Sequence, residues 1–294
     1  MRRSLIAVLA IVVLVVMAGA VWRYLRADAP IPHLSISEVH GEVTVAHPTD
    51  QGSVAPPEQA LAGTILGPDD RLSTSASARA ELTLGPETHI RIGPTSSLQV
   101  LSVDATGVSL ELENGALEAT VRPESGAVRV GNRGRAVLST NGSFEVGVRD
   151  DVMQVAATSG DVALSGMDQS RLAAGQQVVV IDRHAQVGEV AEELLLAVEW
   201  PAEARTRAES GQVVGTTAPG SRVILRGSFG ERTVVADHDG RFEATVALAE
   251  GENEVSVEST DVLGHRNEVS GVLVRDTRGP AFSGGVHYDR GGPP

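Results

Sequence analysis

The amino-acid sequence predicts an all-β chain held by one N-terminal transmembrane helix. Three observations carry that reading. Between Ser37 and Asp182, and again between Val198 and Asp276, brief apolar alternations are broken by Gly, Asp, Asn and Pro, the pattern of many short strands. Aromatic residues make up only 3% of the chain, so its cores must be built from Val, Leu, Ile and Ala, which suits thin stacked β-layers. The run LIAVLAIVVLVVMAGAV, from Leu5 to Val21, is uncharged and long enough to cross a bilayer as a helix.

The N-terminus sets the compartment. Arg2 and Arg3 precede the apolar run and suit the cytoplasmic side; Trp22 and Tyr24 follow it and suit an interfacial belt. Arg23 and Arg26 lie beyond the run and weaken the charge bias. Ala18-Gly19-Ala20 has the A-x-A form of a cleavage site, so a removed signal peptide is the competing reading. The length of the run and its aromatic-basic closure favour a retained anchor. Under either reading the rest of the chain is exported.

Composition removes several function classes. At 294 residues there is room for two ordinary domains. Cysteine is absent, which excludes disulfides, thiolate metal sites and cysteine lipidation. All 24 basic residues are arginine, so there is no P-loop lysine, Schiff base or Ser-Lys dyad. Beyond residue 30 the chain carries 20 arginines against 37 acids, a net charge of −17. Such a body repels nucleic acid and anionic membrane surfaces. RVGNRGR, Arg129 to Arg135, is a local basic cluster that reads as a solvated Gly-rich turn.

The elements follow in order. ADAPIP, Ala27 to Pro32, is a short stiff linker. ELTLGPETHIRIG sets Leu82, Leu84, Ile90 and Ile92 at strand spacing around a Gly-Pro turn. In SLELENGALEATV, Leu110 and Leu112 alternate, and Leu117 and Val121 resume past a turn. STNGSFEVGVRDDVMQVAATSGDVAL, Ser139 to Leu164, is a β-meander: Phe144, Val146 and Val148 form one apolar face, Asp150-Asp151 turns, and Met153, Val155 and Ala157 resume. Its Asn141-Gly142-Ser143 sequon belongs to a turn, where Asn-Gly is favoured for positive φ. GEVTV followed by ALAGTIL, and GDVAL followed by RLAAGQQVVV, form a loose internal echo that suggests stacked β-layers. VGEVAEELLLAV reads as a connector with a helical turn or two. After it, VVGTTAPGSRVIL and DHDGRFEATVALAEGENEVSVESTDVLGHRNEVSGVLV give further strands with turns at Asp239-Gly240, Gly251 and Gly264. About eighty residues of this kind suit a β-sandwich.

These motifs resemble two families. The segment from Glu38 to Asp182 resembles the FecR domain of bacterial periplasmic proteins, through AGTILGPDDRLSTSASARAELTL, IRIGPTSSLQVL, VSLELENGALEATV, TNGSFEV and SGDVAL with RLAAGQQVVV, in the family's order. The resemblance implies an all-β, twisted solenoid-like fold. Two turns depart from it: the usual Asp-Gly is Gly85-Pro86-Glu87, and the usual Gly-Thr-x-Phe is Gly142-Ser143-Phe144. The segment from Val198 to Asp276 is similar to bacterial Ig-like domains, through G-x-x-x-P-G-S-x-V, D-G-x-F and L-x-x-G-x-N-x-V-x-V. The chain then divides into a cytoplasmic tail at 1–4, a membrane span at 5–22, a linker at 23–37, a FecR-like β domain at 38–182, a connector at 183–197, an Ig-like β-sandwich at 198–276 and a disordered tail at 277–294.

Chemical candidates are few. His33, His40 and His47 recur every seven residues, but odd spacing along strands puts neighbours on opposite faces. Asp237-His238-Asp239-Gly240 begins like a calcium loop, yet the later bidentate Glu is missing and a hairpin turn is the simpler reading. No G-x-S-x-G, H-E-x-x-H or G-x-G-x-x-G occurs. No catalytic, cofactor-binding or metal-ligating residue is assigned. Three function classes follow. The first is a membrane-tethered protein of the cell envelope, anchored in the inner membrane with its body in the periplasm, whose β domains bind an envelope protein or a cell-wall polymer, or act as spacers. The second, implied by the FecR resemblance, is sigma-factor regulation across the inner membrane; it needs a cytoplasmic segment, and only Met1 to about Ser4 lies on that side. The third is an enzyme or sugar-binding module. Beyond residue 30 only Phe144, Trp200, Phe229, Phe242, Phe282 and Tyr288 are available as aromatic platforms, and several sit at core-strand positions. The expected class is the first: a non-enzymatic binding or structural module without nucleic-acid partners.

Overall fold

The computed structural model describes residues 33–49, 55–181, 184–190, 194–200 and 205–277. The membrane span expected at 5–22 lies outside the described residues, as does the expected disordered tail beyond Thr277. Among the described residues no helix is long and apolar enough to cross a membrane. Their regular structure is all strand except for one 3₁₀ turn, Pro123–Ser125. The chain divides into two compact units near residue 190.

The first unit opens with β1 (Leu34–His40) and β2 (Val43–Ala46). Two short strands, β3 (Glu58–Gln59) and β4 (Ile65–Leu66), lead to β5 (Arg71–Thr74). The alternation around Gly85 gives the hairpin β6 (Arg79–Leu84) and β7 (Thr88–Ile92). Next come β8 (Ser97–Asp104) and the long β9 (Gly107–Val121). Four pairs complete the unit: β10 (Ala127–Asn132) with β11 (Arg135–Ser139), and β12 (Gly142–Arg149) with β13 (Val152–Ser159). The last two are β14 (Val162–Ser165) with β15 (Arg171–Leu172), and β16 (Gln176–Ile181) with β17 (His184–Glu189).

These seventeen strands form two layers that share β9. One layer runs β4-β1-β6-β7-β9-β12-β13-β16-β17. The other runs β3-β2-β5-β8-β9-β10-β11-β14-β15, and its β9–β10 pair is parallel. From β10 onward the chain lays down two strands in one layer, then two in the other. One face of each layer meets the shared core, and period-two alternation supplies it. The core is aliphatic, with Leu34, Leu82, Ile90, Leu110, Leu112 and Val146 fully buried, and Phe144 is its largest fully buried side chain.

Two expectations change here. Asn114-Gly115 is a bend inside β9, not a turn between strands. Residues up to Asn114 pair with β8, and residues from Gly115 onward pair with β12. The buried positions shift phase across the bend, from Leu110 and Leu112 to Leu117, Ala119 and Val121. That shift is what a strand needs when it leaves one layer for the other. The second change concerns the connector at 183–197. Its described part is not helical: His184–Glu189 is β17, paired along β16, and Ala197 begins another strand. The side chains of β17 are mostly exposed, so no apolar stripe announces it. The edge of β16 acts as its template, because backbone groups at a sheet edge seek partners.

The second unit holds β18 (Ala197–Glu199), β19 (Arg205–Thr206), β20 (Ser210–Thr216) and β21 (Arg222–Gly227). It continues with β22 (Gly230–Val235), β23 (Arg241–Ala247), β24 (Gly251–Thr260) and β25 (Arg266–Arg275). One sheet is β18-β20-β23 and the other β19-β25-β24-β21-β22. Val213, Val223, Leu225, Phe242, Val246, Val255 and Val257 belong to a single buried cluster. Asn253 fastens its edge: its Oδ1 accepts from Ala249 N–H at 2.8 Å, and its Nδ2 donates to Ala249 O at 2.9 Å.

Candidate functional site

The outer face of the first layer carries a charged row. Strand registers set Glu38 beside Glu81, Glu81 beside Arg91, Arg91 beside Glu118, and Glu118 beside Glu145. These five residues come from β1, β6, β7, β9 and β12. Their chain neighbours Leu82, Ile90, Ile92, Leu117, Ala119, Phe144 and Val146 are buried, so alternation turns the charged positions outward. At about 4.8 Å per strand, the row is about 19 Å long.

Arg91 is its central clamp. Its Nη1 donates to Glu118 Oε2 at 2.8 Å, and its Nε lies 3.7 Å from Glu81 Oε2. Glu81 Oε1 also meets His89 Nδ1 at 2.8 Å. Exposed pairs of this kind contribute between zero and about 1 kcal/mol each, so the row contributes little to stability. What it fixes is charge geometry. Four carboxylates flank one guanidinium on a rigid sheet, and Arg79 and His40 stand beside them. These side chains line a depression together with Gly93, Pro94 and Ala116. Such a surface can hold guanidinium or ammonium groups against Glu, and carbonyl or carboxylate groups against Arg.

The residues singled out in the sequence do not assemble. His40 ends β1 in one layer, whereas His47 follows β2 in the other, and its Nδ1 lies 2.7 Å from Asp70 Oδ1. Asp70 is buried and also accepts from Gly67 N–H at 2.7 Å, so this histidine ties down a turn. Asp237 spends its Oδ1 on the N–H groups of Asp239 and Arg241 at 3.0 and 2.8 Å, closing a turn at Gly240. Among the described residues no group of three or more His, Asp or Glu could hold a metal ion. In the basic stretch, Arg133 pairs with Asp151, its N–H meets Glu111 at 2.9 Å, and Arg129 donates to Ser109 at 3.3 Å. The charge of Arg133 is locally answered. Of the aromatics, Phe144 and Phe242 are buried, and Trp200 and Phe229 pack half-buried against the second core.

Among the described residues two titrating groups are shifted, both away from the row. The hydroxyl and then the backbone N–H of Thr106, donating to Asp104, hold its carboxyl below the usual carboxylate range. Hydrogen bonds to Glu258 and Glu231 raise Arg226 further into its charged form. Neither shift has the character of an acid–base pair.

The row itself was not visible in the sequence. Each member stands in the polar phase of its strand, but nothing in the chain order says that Glu38 lies two strands from Arg91. Only the register does.

Comparison with known proteins bears on four of the row's five strands, β6, β7, β9 and β12. Residues 70–163 match the family model described as FecR protein. No curated protein matches the chain. Two crystal structures of a candidate anti-sigma factor from Parabacteroides distasonis are similar, at 20% and 21% identity and a TM-score of 0.36 each. Each match covers 40% of this chain and 59% of the other, so the chain spans less than two thirds of those proteins. From Asp70, before β5, to Ala163 within β14, this chain therefore carries a FecR domain.

Proposed function

We propose that this chain is an exported, non-enzymatic binding module of the bacterial cell envelope. In this reading its FecR domain and a following Ig-like sandwich stand in the periplasm on a single inner-membrane span at 5–22. The observation that carries the binding role is the row Glu38–Glu81–Arg91–Glu118–Glu145, displayed on a rigid sheet with little stabilising work of its own. Its partner is an envelope protein or cell-wall polymer that presents cationic or hydrogen-bonding groups. The test is crosslinking in intact cells followed by pull-down of the tethered chain. The double variant Glu81→Lys/Glu118→Lys should lose the captured partner while melting close to the unmodified protein, because the exchanged groups are surface pairs. Undiminished capture by that variant overturns the reading.

A second reading is participation in FecR-type transmembrane signalling, and the match over 70–163 favours it. Deleting the chain and measuring sigma-factor-dependent transcripts separates the two. A changed transcript set supports signalling, and an unchanged one supports a module that binds without regulating.

A further inference from the structure

The turn between β3 and β4 displays two large aliphatic side chains to solvent. Leu61 is 66% exposed and Ile65 is 61% exposed, higher than any other large apolar side chain described in the first unit. Their presentation is fixed. Thr64 N–H donates to Leu61 O at 3.1 Å, and Leu61 N–H donates to Thr64 Oγ1 at 3.4 Å. Gly63, at φ +91, lets the chain reverse there. The turn is then stitched to β1: Gly63 N–H donates to Ile36 O at 2.7 Å, and Ile36 N–H donates to Thr64 O at 2.8 Å. A hydrogen-bonded turn that holds Leu and Ile outward is not explained by the core, which takes Leu66 and Ala60 from either side of it.

Where the turn sits says what covers it. It is bonded to β1, whose first residue, Leu34, is the point at which the described chain begins to pair. Only eleven residues separate Leu34 from Trp22, at the end of the apolar run. Fully extended, they reach about 40 Å. A bilayer holding that run therefore lies within one short tether of the turn, at high effective concentration. Charge points the same way. Residues 60–68 carry no charged side chain in a protein of net charge −14, so this edge approaches anionic headgroups with less repulsion than its surroundings. A protein partner fits less well. A specific protein interface takes about 20–30 residues a side, whereas two aliphatic side chains suffice to rest in a lipid interface once a tether supplies proximity.

We infer that the Leu61–Ile65 turn is a lipid-contacting edge of the FecR domain, resting in the headgroup boundary of the same bilayer that carries residues 5–22. The inference rests on the anchored reading proposed above. It gives the domain a preferred standing on the membrane instead of free rotation on its linker.

The absence of cysteine makes the test direct. In the full chain, Leu61→Cys, Ile65→Cys and, as a control on another exposed apolar position, Leu138→Cys are each labelled with an environment-sensitive fluorophore. They are reconstituted into vesicles of phosphatidylethanolamine and phosphatidylglycerol containing spin-labelled lipid. Labels at 61 and 65 should shift to the blue and be quenched several-fold more than the label at 138. Protein that floats with the vesicles but shows no lipid quenching at 61 and 65 overturns the docking while leaving the anchor intact. A blue shift without lipid quenching means that protein covers the turn, and also overturns it. Equal quenching at all three positions means that the domain lies down unspecifically, which overturns it as well. Failure to float removes the anchor and the inference together.

Discussion

Phe144 is the residue on which the first core turns. It is fully buried among small aliphatics, paired across to Ala119 and Ala157. Truncating a buried Phe costs about 3–5 kcal/mol, through lost transfer energy and the cavity left behind. Domains are held by only about 5–15 kcal/mol, so Phe144→Ala should strongly lower the first unit's stability in denaturant titrations. Ser143→Ala should cost far less, since its hydroxyl meets Thr120 Oγ1 at 3.2 Å on the outer side. This residue was legible because a lone aromatic in an apolar phase has few other places to go. The role of its neighbour Gly142 was half legible. Asn-Gly signalled a positive φ, and φ is +118. The sequence held no hint that a Cβ there would lie 2.2 Å from Ser159 O.

At the scale of the element, β9 teaches most. Asn-Gly between two alternating apolar runs reads locally as a hairpin turn, and local chemistry is all that a short stretch offers. In the fold the same dipeptide lets one strand serve both layers. Gly115 has φ +99, and a Cβ on it would lie 2.1 Å from Ser96 Oγ and 2.5 Å from Ser96 Cα. The bend is sewn to the turn between β7 and β8 by Asn114 Nδ2 donating to Thr95 O at 2.8 Å and Ala116 N–H donating to Ser96 Oγ at 3.2 Å. Gly115→Ala should destabilise the first unit by roughly 1–3 kcal/mol, from strained backbone and displaced contacts; a thermal melt within error of the unmodified protein would mean that the bend relaxes freely. β17 escaped the sequence for the opposite reason. Its residues carry almost no burial signal, and a strand templated by an edge leaves no mark in hydrophobic pattern.

For the whole molecule, the all-β class followed from punctuation and from the scarcity of aromatics, and the FecR motifs marked most of the first unit in order. Layer order and register did not follow, because pairing such as β1 with β6 is a long-range choice that alternation leaves open. The charged row depends on that pairing and was lost with it. Two units with separate aliphatic cores predict two calorimetric transitions in the intact chain. Phe144→Ala should move one and leave the other, and a shift of both together would show that the cores melt as one.

The outer face of the first layer is the surface proposed to recognise a partner. Photo-crosslinking from two faces in living cells tests it most directly. A photo-reactive residue in place of Arg79, which borders the charged row, is compared with one in place of Arg171 in β15 of the other layer. Both positions are exposed. A discrete crosslinked adduct is expected from position 79, lost in the Glu81→Lys/Glu118→Lys background, and none from position 171. Adducts from 171 with none from 79 would contradict it.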